Sequence, residues 1–285
     1  MLPAYGHPPL ICGRHRLALD RPRVMGVINV TPDSFYDGGR FAEPAAALAR
    51  ARALLADGAD IIDIGGESTR PSATPTPDAE ELARVIPLIE RLREGCDERG
   101  VPISVDTRKP AVMRAAIGAG ASMINDISAL RAAGAVEAVA GSGVQVAVCL
   151  MHMRGDPQTM QQAAVYSDVV AEVTSFLNAR VAACVTAGIA RERIVVDPGF
   201  GFGKTVEHNL TLLRRLEAIV ALGYPILVGL SRKSTIGALT GRDVGARMAG
   251  SVAAALAAVA RGATIVRTHD VRETVDALKV WQAIN

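Results

Sequence analysis

The sequence predicts a single-domain α/β protein folded as a (β/α)8 TIM barrel. Two observations carry that reading. Short β-branched runs alternate with longer Ala- and Leu-rich stretches in eight successive units from Val24 onward, and nearly every such run ends in a polar residue. The alternation is the pattern of parallel strands joined by helical crossovers. The strands read Val24–Val30, Asp60–Gly65, Pro102–Asp106, Ser122–Ile127, Gln145–His152, Ile194–Asp197, Pro225–Ser231 and Thr264–His269. Between them the apolar spacing is helical, best over Pro44–Asp57, Pro77–Arg99 and Gly245–Arg261. An open sheet of parallel strands would leave two edges to protect, which favours a closed barrel over the competing doubly wound sheet. A Gly-Ala dipeptide precedes a strand at Gly58, Gly120 and Gly262, where glycine suits the left-handed residue that ends a helix. Residues 24–285 are assigned to the barrel. Residues 1–23 form an N-terminal extension, in which Arg14–Asp20 is expected to make a hairpin plugging the lower mouth.

Composition narrows the partners. The 285 residues are 49% hydrophobic and 21% charged, enough for a large core and too apolar for disorder. A formal charge of +2 gives no electrostatic footprint for nucleic acid or an anionic membrane, so small-molecule substrates are expected. Cys12, Cys96, Cys149 and Cys184 form no Cys-x-x-Cys pair, which argues against a zinc site or disulfide framework and for a reducing, cytoplasmic setting. Prolines and His7 stand where a signal peptide would carry its apolar core, and no apolar run reaches the roughly 20 residues of a membrane span.

In a barrel of this kind, chemistry belongs at the carboxyl ends of the strands. Those ends carry Asn29, Asp63, Asp106, Asn125, Asp126, His152, Asp197, Ser231, Lys233, Arg267 and His269. Any one of them could merely cap the next helix, but a whole ring points to a site. Strand alternation puts Arg267 with His269 and Ser231 with Lys233, a cationic cluster suited to phosphate oxygens. Arg267 is equally suited to neutralise a barrel carboxylate such as Asp63. Asp106, Asn125 and Asp197, with Lys233, are the acceptors and donors that read a nitrogen-rich heterocycle. A general acid and base pair made of Asp106 and Asp197 is the competing reading.

Two strand ends lead into loops, 31–39 and 65–73, rich in turn residues and hydroxyls and suited to close as lids. Gly65 and Gly66 let backbone N–H groups approach an anion, with Thr69 and Arg70 adding side-chain contacts. Asn29 offers a neutral oxygen of the kind Mg²⁺ accepts beside waters and phosphates. Gly199–Thr205 ends like a phosphate-binding loop, but Pro198 stands where that motif needs glycine, so the motif is discarded. Phe200 and Phe202 either wall a flat aromatic ligand or simply pack. Cys149 and His152, three apart on a strand, face opposite ways and cannot share a metal.

Taken together these motifs resemble the dihydropteroate synthase family of pterin-binding barrels. The resemblance rests on Asn29-Val-Thr-Pro-Asp-Ser-Phe35, Asp63-Ile-Gly-Gly-Glu-Ser-Thr-Arg-Pro71, Val105-Asp-Thr107, Ile124-Asn-Asp126, Leu150-Met-His-Met153, Asp197-Pro-Gly-Phe-Gly-Phe-Gly-Lys204, Ser231-Arg-Lys-Ser234 and Arg267-Thr-His269, and it runs from about Val24 to the C-terminus. It implies condensation of a dihydropterin pyrophosphate with 4-aminobenzoate to give dihydropteroate and pyrophosphate, usually by a homodimer. It implies a pterin site of Asp106, Asn125, Met151, Asp197, Lys233 and Arg267, and a pyrophosphate site of Asn29, Thr69, Arg70, Arg267 and His269 with Mg²⁺ on Asn29. The aminobenzoate subsite would be Thr69, Pro71, Phe202, Lys233 and Ser234, with Asp33, Phe35 and Arg70 organising loop closure. Asp106, Lys233 and Arg267 would carry the catalysis. Tyr36, Ser72 and Arg108 fall where the family is expected to vary, which leaves open how tightly the loops close and how well sulfonamide-like mimics would bind. Two rival readings are a barrel that transfers a methyl group from methyltetrahydrofolate to a corrinoid protein, which needs no pyrophosphate cluster, and a catalytically silent pterin-binding paralogue.

Overall fold

A computed structural model describes residues 7–31, 42–69, 73–160, 162 and 164–285. A small antiparallel hairpin comes first, β1 (Leu10–Cys12) and β2 (His15–Leu17). Eight parallel strands follow: β3 (Arg23–Asn29), β4 (Ile61–Gly65), β5 (Ile103–Asp106), β6 (Met123–Asp126), β7 (Ala147–Met151), β8 (Ile194–Asp197), β9 (Leu227–Val228) and β10 (Ile265–Thr268). They are ordered β8-β7-β6-β5-β4-β3-β10-β9. The sheet closes where Val196 bridges Ile226 in parallel and its N–H donates to Pro225 O at 3.0 Å. The architecture is therefore the TIM barrel.

Period-two alternation divides each strand between two cores. Outward residues such as Ile28, Ile62, Ile64, Val105, Ile124, Leu150, Val196 and Val266 pack against the surrounding helices. The lowest inward residues, Met25, Ile61, Met123, Ala147, Cys149, Val195, Leu227 and Ile265, form a separate apolar cluster with Leu10, Cys12, Leu17 and Leu19. The hairpin thus caps the barrel floor, using strands that begin at Leu10. Above that floor the inward positions turn polar: Asp63, Ser104, Asp106, Asn125, Asp197 and Arg267.

The outer helices follow the expected spans closely: Ala42–Ala56, Asp78–Glu98, and Met248–Val259 preceded by a 3-10 turn at Val244–Ala246. Gly58, Gly120 and Gly262 all have positive φ, as the Gly-Ala turns require. The helix Val169–Thr186 is by length and composition apolar enough to cross a membrane. Val173, Leu177 and Val181 bury it in the core it shares with β7, so it is read as one of the barrel's outer helices. The seventh barrel strand is much shorter than the expected Pro225–Ser231. Its ladder covers Leu227–Val228, and the chain then turns through Arg232 at φ +58°.

Leu10 is 1% exposed on the barrel floor. Leu10→Ala is expected to lower the unfolding free energy by about 3 kcal/mol, read as a reduced denaturant midpoint with an unchanged slope.

Candidate active site

Strand register assembles the mouth. Asn29 pairs with Gly65, Gly65 with Asp106, and Asp106 with Asn125, so four positions stand abreast across β3 to β6. Gly65 leaves a gap in that row, since a side chain there would begin 3.5 Å from Asn29 Oδ1 and 3.6 Å from Asp106 Cβ. From β10, Arg267 reaches across the interior. Its Nε donates to Asp63 Oδ2 at 2.7 Å, and its Nη2 donates to Asp106 Oδ2 at 2.8 Å. Asn125 Nδ2 donates to the same Asp63 oxygen at 3.2 Å. Arg267 therefore neutralises Asp63, one of the two readings the sequence allowed, and it reaches Asp106 at the mouth.

These contacts decide the charges. Burial works against the Arg267 cation, but Asp63 and Asp106 outweigh it and raise its pKa. Burial pushes the Asp106 carboxyl up to about 7, against the downward pull of Arg267. Burial likewise raises Asp197, with Lys233 opposing, while Asp197 Oδ1 accepts the Gly199 N–H at 2.7 Å. Lys233 is pulled down to about 8 by burial, and Asp197 resists that shift.

Lys233 reaches this position through a strained turn. Arg232, with its left-handed backbone, is held by Asp270 through Nε at 3.0 Å and by the Ser251 hydroxyl, which accepts its N–H at 2.9 Å. Arg247 Nη1 donates to Arg232 O at 3.0 Å. Lys233 Nζ then donates to Phe200 O and lies 4.6 Å from the centre of the Phe202 ring. Because the ladder ends at Val228, strand alternation does not govern Ser231 and Lys233. Ser231 instead pairs with His269, Oγ to Nδ1, at 3.0 Å. Burial, then Arg267 and Arg232, pulls the His269 imidazole down to about 4, so it stands neutral near neutral pH.

The remaining residues sort as follows. Met151 is buried with Ile127, Met153 and Met160, and Phe202 packs against them. Phe200 is 1% exposed in the main core, so of the two phenylalanines it is the one that only packs. Asp126 accepts the Ser128 and Leu130 N–H groups, each at 2.7 Å, and is a turn cap. Thr69 borders a 280 Å³ cavity with Glu67, Ala73, Arg108 and Gln158. Ser234 begins the helix Ser234–Thr240 directly after Lys233. Asp33, Phe35, Arg70 and Pro71 lie outside the described residues. Sequence reasoning gave no role to the residues that shape the Lys233 turn: Arg247 and Ser251 come from a segment that bears no motif, and Asp270 stands just past the Arg267-Thr-His269 motif without belonging to it. Cys149 lies on the barrel floor, while His152 contacts Lys204 at 2.9 Å. Among the described residues no group of three His, Cys, Asp or Glu side chains could hold a metal.

Residues 25–269 match the pterin binding enzymes. The chain belongs to that family. It is similar to the dihydropteroate synthase of Neisseria meningitidis serogroup C, 54% identical over 276 residues that cover 95% of this chain and 96% of the relative. It is also similar to that of Escherichia coli strain K12, at 49% identity over 267 residues, 94% and 93% of the two chains. A Xanthomonas albilineans dihydropteroate synthase solved with 7,8-dihydropteroate superposes with a TM-score of 0.88 at 53% identity, over 97% of this chain and 98% of that one. The same organism's enzyme with 4-aminobenzoic acid gives 0.91 at 55%, over 98% of each chain. Among the pterin-binding enzymes, this chain therefore stands with the dihydropteroate synthases.

Since Arg267 holds the Asp106 pKa down, Arg267→Gln is expected to move it upward from about 7. The Asp106 carboxyl resonance, followed through a pH titration in both proteins, checks the shift. A midpoint that fell or stayed put would break the assignment.

Proposed function

We propose that the ring at the barrel mouth condenses 6-hydroxymethyl-7,8-dihydropterin pyrophosphate with 4-aminobenzoate, giving 7,8-dihydropteroate and pyrophosphate. The observation that carries the proposal is the chain Asn125–Asp63–Arg267–Asp106 beside Lys233 and Asp197. A flat, nitrogen-rich ring with one anionic arm suits it. Arg267 occupies one oxygen of Asp106, and Asp63 takes the Asn125 amide donor. The other Asp106 oxygen, the Asn125 carbonyl oxygen, the Asp197 carboxylate and the Lys233 ammonium remain to address the pterin's edges. Met151 packs against the ring.

Asn29, Thr69, Arg70, Arg267 and His269 take the pyrophosphate. The Asn29 oxygen and the gap at Gly65 fit a Mg²⁺ ion that keeps most of its waters, as Mg²⁺ does. When bound, such an ion would neutralise charge on the leaving phosphates. Thr69, Pro71, Phe202, Lys233 and Ser234 border the aminobenzoate, and Asp33, Phe35 and Arg70 organise the closing loops. The methylene C–O bond breaks with its electron pair going to pyrophosphate. Asp106 stabilises the positive charge that develops on the pterin methylene. The arylamine lone pair then forms the C–N bond, and the proton it sheds goes to the medium. No covalent enzyme intermediate is required. A homodimer through the Ala-rich helix Met248–Val259 belongs to the proposal, supported by the exposed Leu239, Val244 and Met248. Four free, buried cysteines suit a reducing cytoplasm.

Incubation with both substrates is expected to release pyrophosphate and form dihydropteroate; failure of both would remove the proposal. Asp106→Ala should lower kcat by about 100-fold or more while the thermal transition persists, and equal activity would end its role. His269→Ala should weaken binding of the pterin pyrophosphate about tenfold with aminobenzoate affinity nearly constant, as calorimetry can read.

A further inference from the structure

The Gly-Lys-Thr ending discarded as a phosphate loop contains a lysine that the mechanism does not use. Lys204 is 3% exposed, and its side chain points into the protein. Its Nζ lies 2.9 Å from Gly199 O, 3.1 Å from Phe202 O and 2.9 Å from His152 Nδ1, with a longer contact of 3.4 Å to His152 O. An ammonium carries three protons and no lone pair, which match the three nearer acceptors. Burial pulls Lys204 itself down to about 7, with Asp197 opposing, and in its charged form it requires the neutral His152 tautomer with the proton on Nε2. Burial, followed by the charges of Lys204 and Arg154, pulls His152 down to about 3, which agrees.

The three acceptors tie together the end of β7 and the turn after β8. Gly199 sits at φ +69°, and a side chain there would meet His152 O at 1.9 Å, so the two segments are in direct contact. Gly203 O is taken by the Tyr166 hydroxyl at 2.8 Å. On the other side of the same turn, Phe200 O accepts from Lys233, and the Phe202 ring lies beneath the Lys233 ammonium. The turn is thus held between two lysines, one buried and one at the mouth. Without Lys204, Phe202 O would lose this buried donor, and a carbonyl in that position turns toward water at the expense of the loop shape.

We propose that Lys204 is a positioning residue: clamped by Gly199 O, Phe202 O and His152 Nδ1, it sets the turn that holds Phe202 against Lys233 and thereby shapes the aminobenzoate side of the mouth. This rests on the function proposed above, and dihydropteroate formation by the wild type tests that reading separately.

The test is a cycle of wild type, Lys204→Met, Phe202→Ala and the double variant, with kcat/KM for aminobenzoate measured alongside the dissociation constant of the pterin pyrophosphate. Lys204→Met is expected to lower kcat/KM about tenfold through KM, and to cost less than about twofold once Phe202 is already Ala. Pterin pyrophosphate affinity should stay within about threefold in all four proteins. Multiplicative effects would overturn the proposal. Should Lys204→Met fail to fold, His152→Asn, which keeps an acceptor near Nδ1, should retain activity where His152→Leu loses it; equal behaviour of that pair overturns the proposal as well. Independently of turnover, a crystal structure of Lys204→Met is expected to show Phe202 displaced from Lys233, and an unmoved ring refutes the clamp.

Discussion

The two-carboxylate grip on Arg267 is the interaction on which the rest of this barrel depends. Asp63 and Asp106 stand inside one closed sheet, and without a cation between them two negative charges would share a poorly solvated space. Arg267 resolves that conflict from β10, two strands along from Asp63. Asp63 is fully buried, its Oδ1 has no hydrogen-bond partner among the described residues, and Asn125 supports the other oxygen. Asp63 thus commits one oxygen to both Arg267 and Asn125, while Asp106 commits a single oxygen to Arg267. A lysine would not do the same, because the grip uses two nitrogens of one planar fork at once.

Much of this could be read from residue order because a strand's alternation is a strict rule. Once the eight runs are placed, Asp63 and Arg267 must enter the interior two residues above Ile61 and Ile265, and Asp106 must stand beside Asn125. The rule fails where the ladder fails. After Val228 the chain is shaped by Arg232 in a left-handed conformation, and the groups that hold it, Ser251 and Asp270, come from other helices and loops. Lys204 was left without a role for a related reason. Its phosphate-loop motif was discarded at Pro198, and what remains depends on the positive-φ glycines Gly199, Gly201 and Gly203, whose turn folds the side chain inward. Phe200 and Phe202 look equivalent in sequence, and only the direction of that turn separates the core residue from the one beneath Lys233.

Fold and site also divide the work between them. Register alone sets Asn29, Gly65, Asp106 and Asn125 abreast, so these positions require no special local backbone. Lys233, by contrast, depends on a strained residue and a set of tertiary hydrogen bonds from Asp270, Ser251 and Arg247. Rigid strands supply Asn29, Asp106 and Asn125, and a braced turn supplies Lys233 beside the Phe202 ring.

The hairpin beneath the strands bears on the mouth as well as on packing. With Leu10, Cys12, Leu17 and Leu19 sealing the lower end, the barrel is a blind well, not a tunnel. The barrel's own inward side chains pack with the hairpin into that closed end, so the polar positions above it open only toward the carboxyl ends of the strands, and the floor can be rebuilt for stability without redrawing the mouth.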